Sequence, residues 1–283
     1  MGAAPVRSSA IRTIAVGLTV LLVGVLSSPR GGAAASAEEV SLPATLVTEG
    51  ATPATEVEAT LTRSESSTER GYGFGLSSVQ YAPVPSFGLK LALPLAVRDP
   101  KDAGPTVGGI GDVSVMAKYA PLMLPAGQLA LAAGLKLTLP TGSERRGLGG
   151  QLALAPFVAA GQGLGAWSLQ ADAAYSWQLN RPRRIEPGEE GEEAVRPDRA
   201  QGVTANLTAT YAPLEWLGLI LEANSVTVLR GDETLRERVQ LYLTPGVGVE
   251  PAKGWNLRAG VQLPLTRARA FDYNLIVILT KGF

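Results

Sequence analysis

The sequence predicts an all-β fold: a transmembrane, antiparallel, up-and-down β-barrel of twelve strands. Three observations predict it. From residue 55 onward, apolar and polar residues alternate in repeated stretches, the period of strands with one apolar face. The segments between those stretches alternate long and short along the chain, as extracellular loops and periplasmic turns do. The third is composition: 46% hydrophobic and only 18% charged, against about 25% charged in soluble domains. Yet no run after residue 26 is apolar enough, over the roughly 20 residues required, to be a membrane helix. Apolar residues spread over every second position reconcile the two facts.

Residues 1–37 read as an export signal. Arg7 and Arg12 precede the apolar run Ile14 to Leu26, and Ala35-Ser36-Ala37 supplies an A-x-A cleavage site before Glu38. Cleavage after Ala37 removes Arg7, Arg12 and Arg30 and no acidic residue, leaving three more acidic than basic groups. Residues 38–54 are polar, rich in Ala, Thr, Pro and Glu, and show no period. They read as a periplasmic segment. A partial plug in the barrel mouth is the other reading, and the sequence does not separate the two.

Residues 55–283 read as the barrel. Thr55 to Arg63 sets Val57, Ala59 and Leu61 on one face. Gly71 to Tyr81 sets Tyr72, Phe74 and Leu76 together. Ser86 to Val97 alternates most clearly, from Phe87 through Leu95. Gly111 to Ala120 and Gly127 to Leu139 follow the same rule. Gln151 to Ala160 is weaker, because Pro156 and Phe157 blur its faces. Ala166 to Leu179 and Gly202 to Ala212 alternate cleanly. Leu217 to Leu229 loses phase near Ser225, where a bulge fits. Arg238 to Val249, Trp255 to Leu263 and Phe271 to Phe283 complete the twelve.

An even strand number returns the C-terminus to the periplasm. The longest connection, 180–200, is dense in Arg, Glu and Pro and reads as a mobile surface loop. Trp167, Trp177, Tyr119, Tyr211, Trp216 and Trp255 fall near strand ends, as amphipathic rings do at the two membrane interfaces.

If the apolar parity faces lipid, the charged residues of the other parity line the lumen. These are Glu56, Glu58, Lys90, Asp112, Lys118, Lys136, Asp172, Glu222, Arg258 and Asp272. Cross-lumen ion pairs and a solute-filtering constriction are the two readings of that set. Lys90, Lys118 and Lys136 lie on three consecutive strands as a basic strip. The chain has no His and no Cys, which removes the commonest general base and metal ligand and all thiol chemistry. No enzyme, cofactor or metal is expected. Zero formal net charge gives no reason to expect nucleic acid.

Two segments carry a family resemblance. Gly109-Ile110-Gly111-Asp112 opens one strand, and Leu139-Pro140-Thr141-Gly142 ends the next. Together they resemble the outer-membrane barrel family labelled meta-pathway phenol-degradation proteins. The resemblance covers residues 70 to 283. It implies passive passage of small solutes, hydrophobic or aromatic ones among them, across a bacterial outer membrane. The strand ending on Phe283 resembles the closing strand of outer-membrane barrels, which implies that the barrel-assembly machinery reads it. Lys281 departs from that pattern, since an apolar side chain is usual there, and is expected to snorkel to the interface. A closed-lumen adhesin or receptor acting through Arg181 to Arg199 is the alternative, and a soluble secreted β protein the third.

Overall fold

A computed structural model describes residue 40 and residues 42–101, 104–180, 184–188, 191–195, 199–231 and 238–283. The expected export signal, 1–37, lies outside the described residues. The chain forms β1 (Glu56–Glu65), β2 (Glu69–Val84), β3 (Phe87–Ala92), β4 (Leu95–Pro100), β5 (Val107–Ile110) and β6 (Ser114–Leu124). Then come β7 (Leu129–Thr138), β8 (Ala153–Leu164), β9 (Trp167–Gln178), β10 (Arg184–Gly188) and β11 (Gly191–Val195). β12 (Gln201–Leu214), β13 (Leu217–Arg230), β14 (Val239–Ala252), β15 (Trp255–Pro264) and β16 (Tyr273–Gly282) complete the chain.

β3 with β4 makes one span and β5 with β6 another, while β10 and β11 form a separate two-stranded hairpin. Twelve antiparallel spans remain, each bonded to its neighbours in sequence. β1 pairs with β2 on one side and with β16 on the other, from Glu56 opposite Gly282 to Glu65 opposite Tyr273. Phe283 N donates to Thr55 O at 3.0 Å beyond that ladder. The β1–β16 ladder closes the sheet into a tube, and closure is what lets β structure cross lipid.

Four local features depart from the sequence expectation. Ser86 to Val97 is broken at Leu93-Pro94, because Pro94 has no N–H for the ladder. The facing span breaks at 111–113, and Gly111 N donates to Pro94 O at 2.8 Å across the double interruption. Within β2 the register shifts opposite Glu58 and Ala59. The extra residue, Ser77, donates to Glu58 O at 3.0 Å and accepts from Thr60 Oγ1 at 2.8 Å. The apolar parity therefore switches from Tyr72 and Phe74 above it to Val79 and Tyr81 below. No bulge occurs at Ser225, which pairs in register with Ala205 and Leu241. Part of the Arg181 to Arg199 loop is the β10–β11 ladder, with Arg184 opposite Val195.

The barrel is inside-out relative to a soluble protein. Leu61, Leu89, Leu131, Leu169, Leu207, Leu221, Leu257 and Leu275 are all exposed on the outer wall. Gln170, Thr208, Thr210, Glu222, Asn224, Gln240, Thr244 and Arg258 are buried on the inner wall. Trp167, Trp216, Tyr81 and Phe283 ring the end with the short turns, and Trp177 and Tyr175 the other end. Trp167 and Tyr211 pack with ring centroids 4.7 Å apart. Lys281 turns back to Lys253 O at 3.3 Å and lies 5.4 Å from the Trp255 ring centre.

Leu207 lies mid-way along β12 on the lipid face. Leu207→Arg should cost about 2–4 kcal/mol, read as a lowered urea midpoint for the barrel refolded in lipid vesicles. An unchanged midpoint would contradict this lipid-facing assignment.

Candidate functional site: the lumen and the segment inside it

Residues 42–54 do not trail away from the barrel. They run inside it as a plug, in the half nearer Phe283. Its backbone is held by charged side chains of the inner wall. The N–H groups of Leu46, Val47 and Thr48 converge on the Glu222 carboxylate at 2.6, 2.9 and 3.3 Å. Glu49 N donates to Asp172 Oδ1 at 2.8 Å. Gln170 Nε2 donates to Pro43 O at 2.6 Å. Arg258 donates to Thr45 O through Nη1, and through Nη2 to Glu58 at 3.0 Å and Thr280 Oγ1 at 2.6 Å. Glu222 is fully buried. A buried carboxylate is costly unless fully bonded, and here three successive backbone donors satisfy it.

The apolar side chains of the segment fill places where the wall has no side chain. Leu46 packs with Ile220, Ile276 and Ile278. A Cβ added at Gly246 or Gly260 would collide with Leu46 Cδ1, and one at Gly161 with Leu42. Gly88 makes the same room for Pro53. Val40 and Ala51 pack with Ala120, Ala130, Ala132 and Ala159. Small wall residues and large plug residues are complementary along the whole track.

Glu49 is the one plug carboxylate bonded to wall cations. Lys118 Nζ donates to Glu49 Oε1 and, at 2.6 Å, to Gly50 O. Lys90 Nζ is 3.5 Å from Glu49 Oε2. Lys136 makes no hydrogen bond or ion pair with any described residue. Burial alone would raise the Glu49 pKa, but Lys90 and Lys118 outweigh it and hold the carboxyl at about 2 instead of 4.5. A cavity of about 320 Å³ lies beside this pair, lined by Glu56, Glu58, Gln80, Lys90, Lys118 and Arg258 among others.

The remaining inner wall has two characters. From β9 to β16 it is a polar ladder. Asn206 donates to Asp172 at 3.0 Å and Asn224 to Asn206 Oδ1 at 3.2 Å. Thr244 and Gln262 both donate to Asn224 Oδ1, at 2.7 and 3.1 Å. From β6 to β8 it carries, beside Lys118 and Lys136, an apolar patch of Ala120, Ala130, Ala132, Phe157 and Ala159, all buried. Phe157 points inward over Gly134, where a Cβ would collide with its ring.

Eight of the ten expected lumen charges therefore face the interior, and two serve elsewhere. Asp112 accepts from the N–H groups of Gly142, Gly150 and Gln151 at 2.8, 2.7 and 2.8 Å. It clamps the loop that follows β7. Thr141 Oγ1 adds a bond to Gly111 O at 3.0 Å and accepts from Val113 N at 2.8 Å. Asp272 precedes β16 at the outer rim and pairs with Arg269 at 2.8 Å. Phe271 is not in the last strand either: it stacks on Tyr242 at 4.7 Å. The sequence reading missed Glu49, Asn206, Asn224 and the track glycines. Inward glycines in mid-strand, at 88, 161, 246 and 260, were the available signal for an internal occupant.

A closed twelve-span barrel with an apolar outer belt and a bonded polar interior is a bacterial outer-membrane barrel. Residues 35–276 match the family described as "Putative MetA-pathway of phenol degradation", and the chain belongs to that family. No curated protein matches the sequence. Among solved structures, an outer membrane channel from Pseudomonas putida F1 is similar at 14% identity and a TM-score of 0.63. That likeness covers 89% of this chain and 100% of the channel. The NanC porin is similar at 9% identity and a TM-score of 0.53, over 80% of this chain and 98% of its own.

Two predictions concern the plug. Glu222→Gln keeps the shape but replaces an acceptor oxygen with a donor facing plug N–H groups. A hydrogen bond to a charged group contributes about 1.5–3 kcal/mol, so the plug should become protease-sensitive while the barrel stays intact on gels. Glu49 has a depressed pKa, so its contribution is complete above about 4.5 and is lost as pH falls toward about 2. Protease sensitivity of residues 42–54 should rise across that window, and the rise should be absent in Glu49→Gln, whose sensitivity is already raised at neutral pH.

Proposed function

We propose that the protein is a passive outer-membrane channel for small solutes, with residues 42–54 setting its aperture. The observation that carries this reading is the polar, hydrogen-bonded lumen, retained in a barrel whose outer wall is apolar. A barrel serving only as a surface scaffold has no need of a cavity beside its plug, nor of a lumen with a polar ladder and an apolar patch. The family description, with its mention of phenol degradation, and the channel and porin among the similar structures favour the same reading. The apolar strip of Ala120, Ala130, Ala132, Phe157 and Ala159 suits solutes with a hydrophobic or aromatic body. The function is non-catalytic: the chain holds neither His nor Cys, and Glu222, Asp172, Lys118 and Arg258 are engaged with the plug. Residues 1–37 direct export and are removed after Ala37, and the assembly machinery reads the strand that ends at Phe283.

Planar-bilayer recording tests the proposal. Full-length mature protein should show small conductance steps, and deletion of residues 40–54 should enlarge them several-fold. A folded deletion variant with no conductance and no solute uptake in liposomes would rule out the channel.

A further inference from the structure

Glu49 is a carboxylate seated on a basic strip, and the strip has more cations than Glu49 satisfies. Lys90 on β3, Lys118 on β6 and Lys136 on β7 come from three adjacent spans. Lys90 and Lys136 both stand opposite Met116, one on each side, and Lys118 stands opposite Gly134 in the neighbouring row. Lys118 is 4% exposed and bonded to Glu49, and Lys90 is 3.5 Å from the same carboxylate. Lys136 is left without a bonded partner among the described residues. An apolar surface adjoins the strip: Gly134 pairs with Phe157, whose ring lies over it, and the alanines of β7 and β8 continue it. The cavity of about 320 Å³ reaches both Lys90 and Lys118, within the size range of small-molecule sites, about 300–1,000 Å³.

We propose that Lys90, Lys118 and Lys136 form a binding station for the carboxylate of a small organic acid with an apolar body, and that Glu49 occupies it in the solute's absence. The carboxylate takes the place of the Glu49 side chain on Lys118 and Lys90, with Lys136 as the third cation, and the body lies in the cavity against Leu42, Leu46 and Val47, which line it. Release of Glu49 removes the tie of the plug to Lys90 on β3 and weakens the one to β6, where Lys118 still bonds Gly50 O. The acid then opens the path it uses. The backbone bond of Glu49 to Asp172 and the bond of Lys118 to Gly50 O persist in the exchange, which breaks at first only the two side-chain contacts of Glu49, to Lys118 and Lys90. This deepens the channel reading and rests on it for its purpose, but the binding event can be measured without transport.

The absence of Cys makes a single introduced thiol a clean reporter. Ala51 is fully buried in the plug. In Ala51→Cys, refolded in vesicles, the rate of labelling by a soluble thiol reagent reports plug release. Benzoate should raise that rate several-fold, and saturably. Benzamide, neutral and of the same shape, should not, nor should chloride at equal ionic strength. Adding Lys90→Met and Lys136→Met to the reporter should abolish the benzoate response, and adding Glu49→Gln should raise the basal rate. Equal responses to benzoate and benzamide, or to benzoate and chloride, would overturn the station. So would a benzoate response that survives loss of the lysines. Heat-modified gel mobility identifies any variant that fails to fold, in which case Pro53→Cys, also buried in the plug, carries the same measurements. A channel that conducts but shows no benzoate response would sink this inference alone, while a benzoate response without conductance would sink the channel reading alone.

Discussion

Everything in this molecule depends on the ladder between β1 and β16. A backbone N–H or C=O left unpaired in hydrocarbon costs several kcal/mol, and an open twelve-span sheet would present two such edges. The ten residue pairs from Glu56–Gly282 to Glu65–Tyr273 remove both edges. Closure also creates the interior. Once the sheet is a tube, every second side chain must face a confined space, and that space needs contents that satisfy its polar groups.

The contents are supplied by the chain itself. Residues 42–54 are short of ordinary secondary structure, so their backbone groups are free to bond side chains, and the wall offers Glu222, Asp172, Gln170, Arg258 and Lys118 for that purpose. Buried polar networks are stable only when nearly every member is bonded, and the plug brings donors where the wall has carboxylates. Among the described residues, one wall atom without a partner, Arg258 Nε, belongs to a side chain that bonds the plug. The plug is held mainly by polar bonds and by four apolar anchors, Val40, Leu42, Leu46 and Ala51. Such an attachment has far fewer bonds than the closed sheet around it, so the plug can open locally while the wall stays intact.

The barrel was largely legible in the sequence because its signal is redundant. Twelve alternating stretches and eleven connections of alternating length agree, and the observed spans begin and end close to the expected residues. What was missed shares one physical cause: it arises from contacts between segments far apart in the chain. Pro94 could be read as weakening a strand, but that Gly111 would bond across to it could not. The Ser77 bulge changes which face Val79 and Tyr81 take, and nothing local marks it. Asp112 was placed in the lumen by parity, whereas three N–H groups from residues 142, 150 and 151 draw it to the loop. The Gly-x-Gly-Asp and Leu-Pro-Thr-Gly segments prove to be two halves of one clamp. Residues 38–54 were ambiguous because a segment without period has no face to predict.

The plug also dictates an order of events. Its bonding partners are spread around the circumference, on β3, β6, β9, β12, β13 and β15. No partial sheet presents them in the right positions, and Glu222 and Arg258 come from the last third of the chain. Residues 42–54 therefore have all their bonding partners only once β15, which carries Arg258, is in place. Until residues 46–48 reach it Glu222 lacks those backbone donors, so the chain that comes first in the barrel depends for its place on wall residues that come late in the sequence.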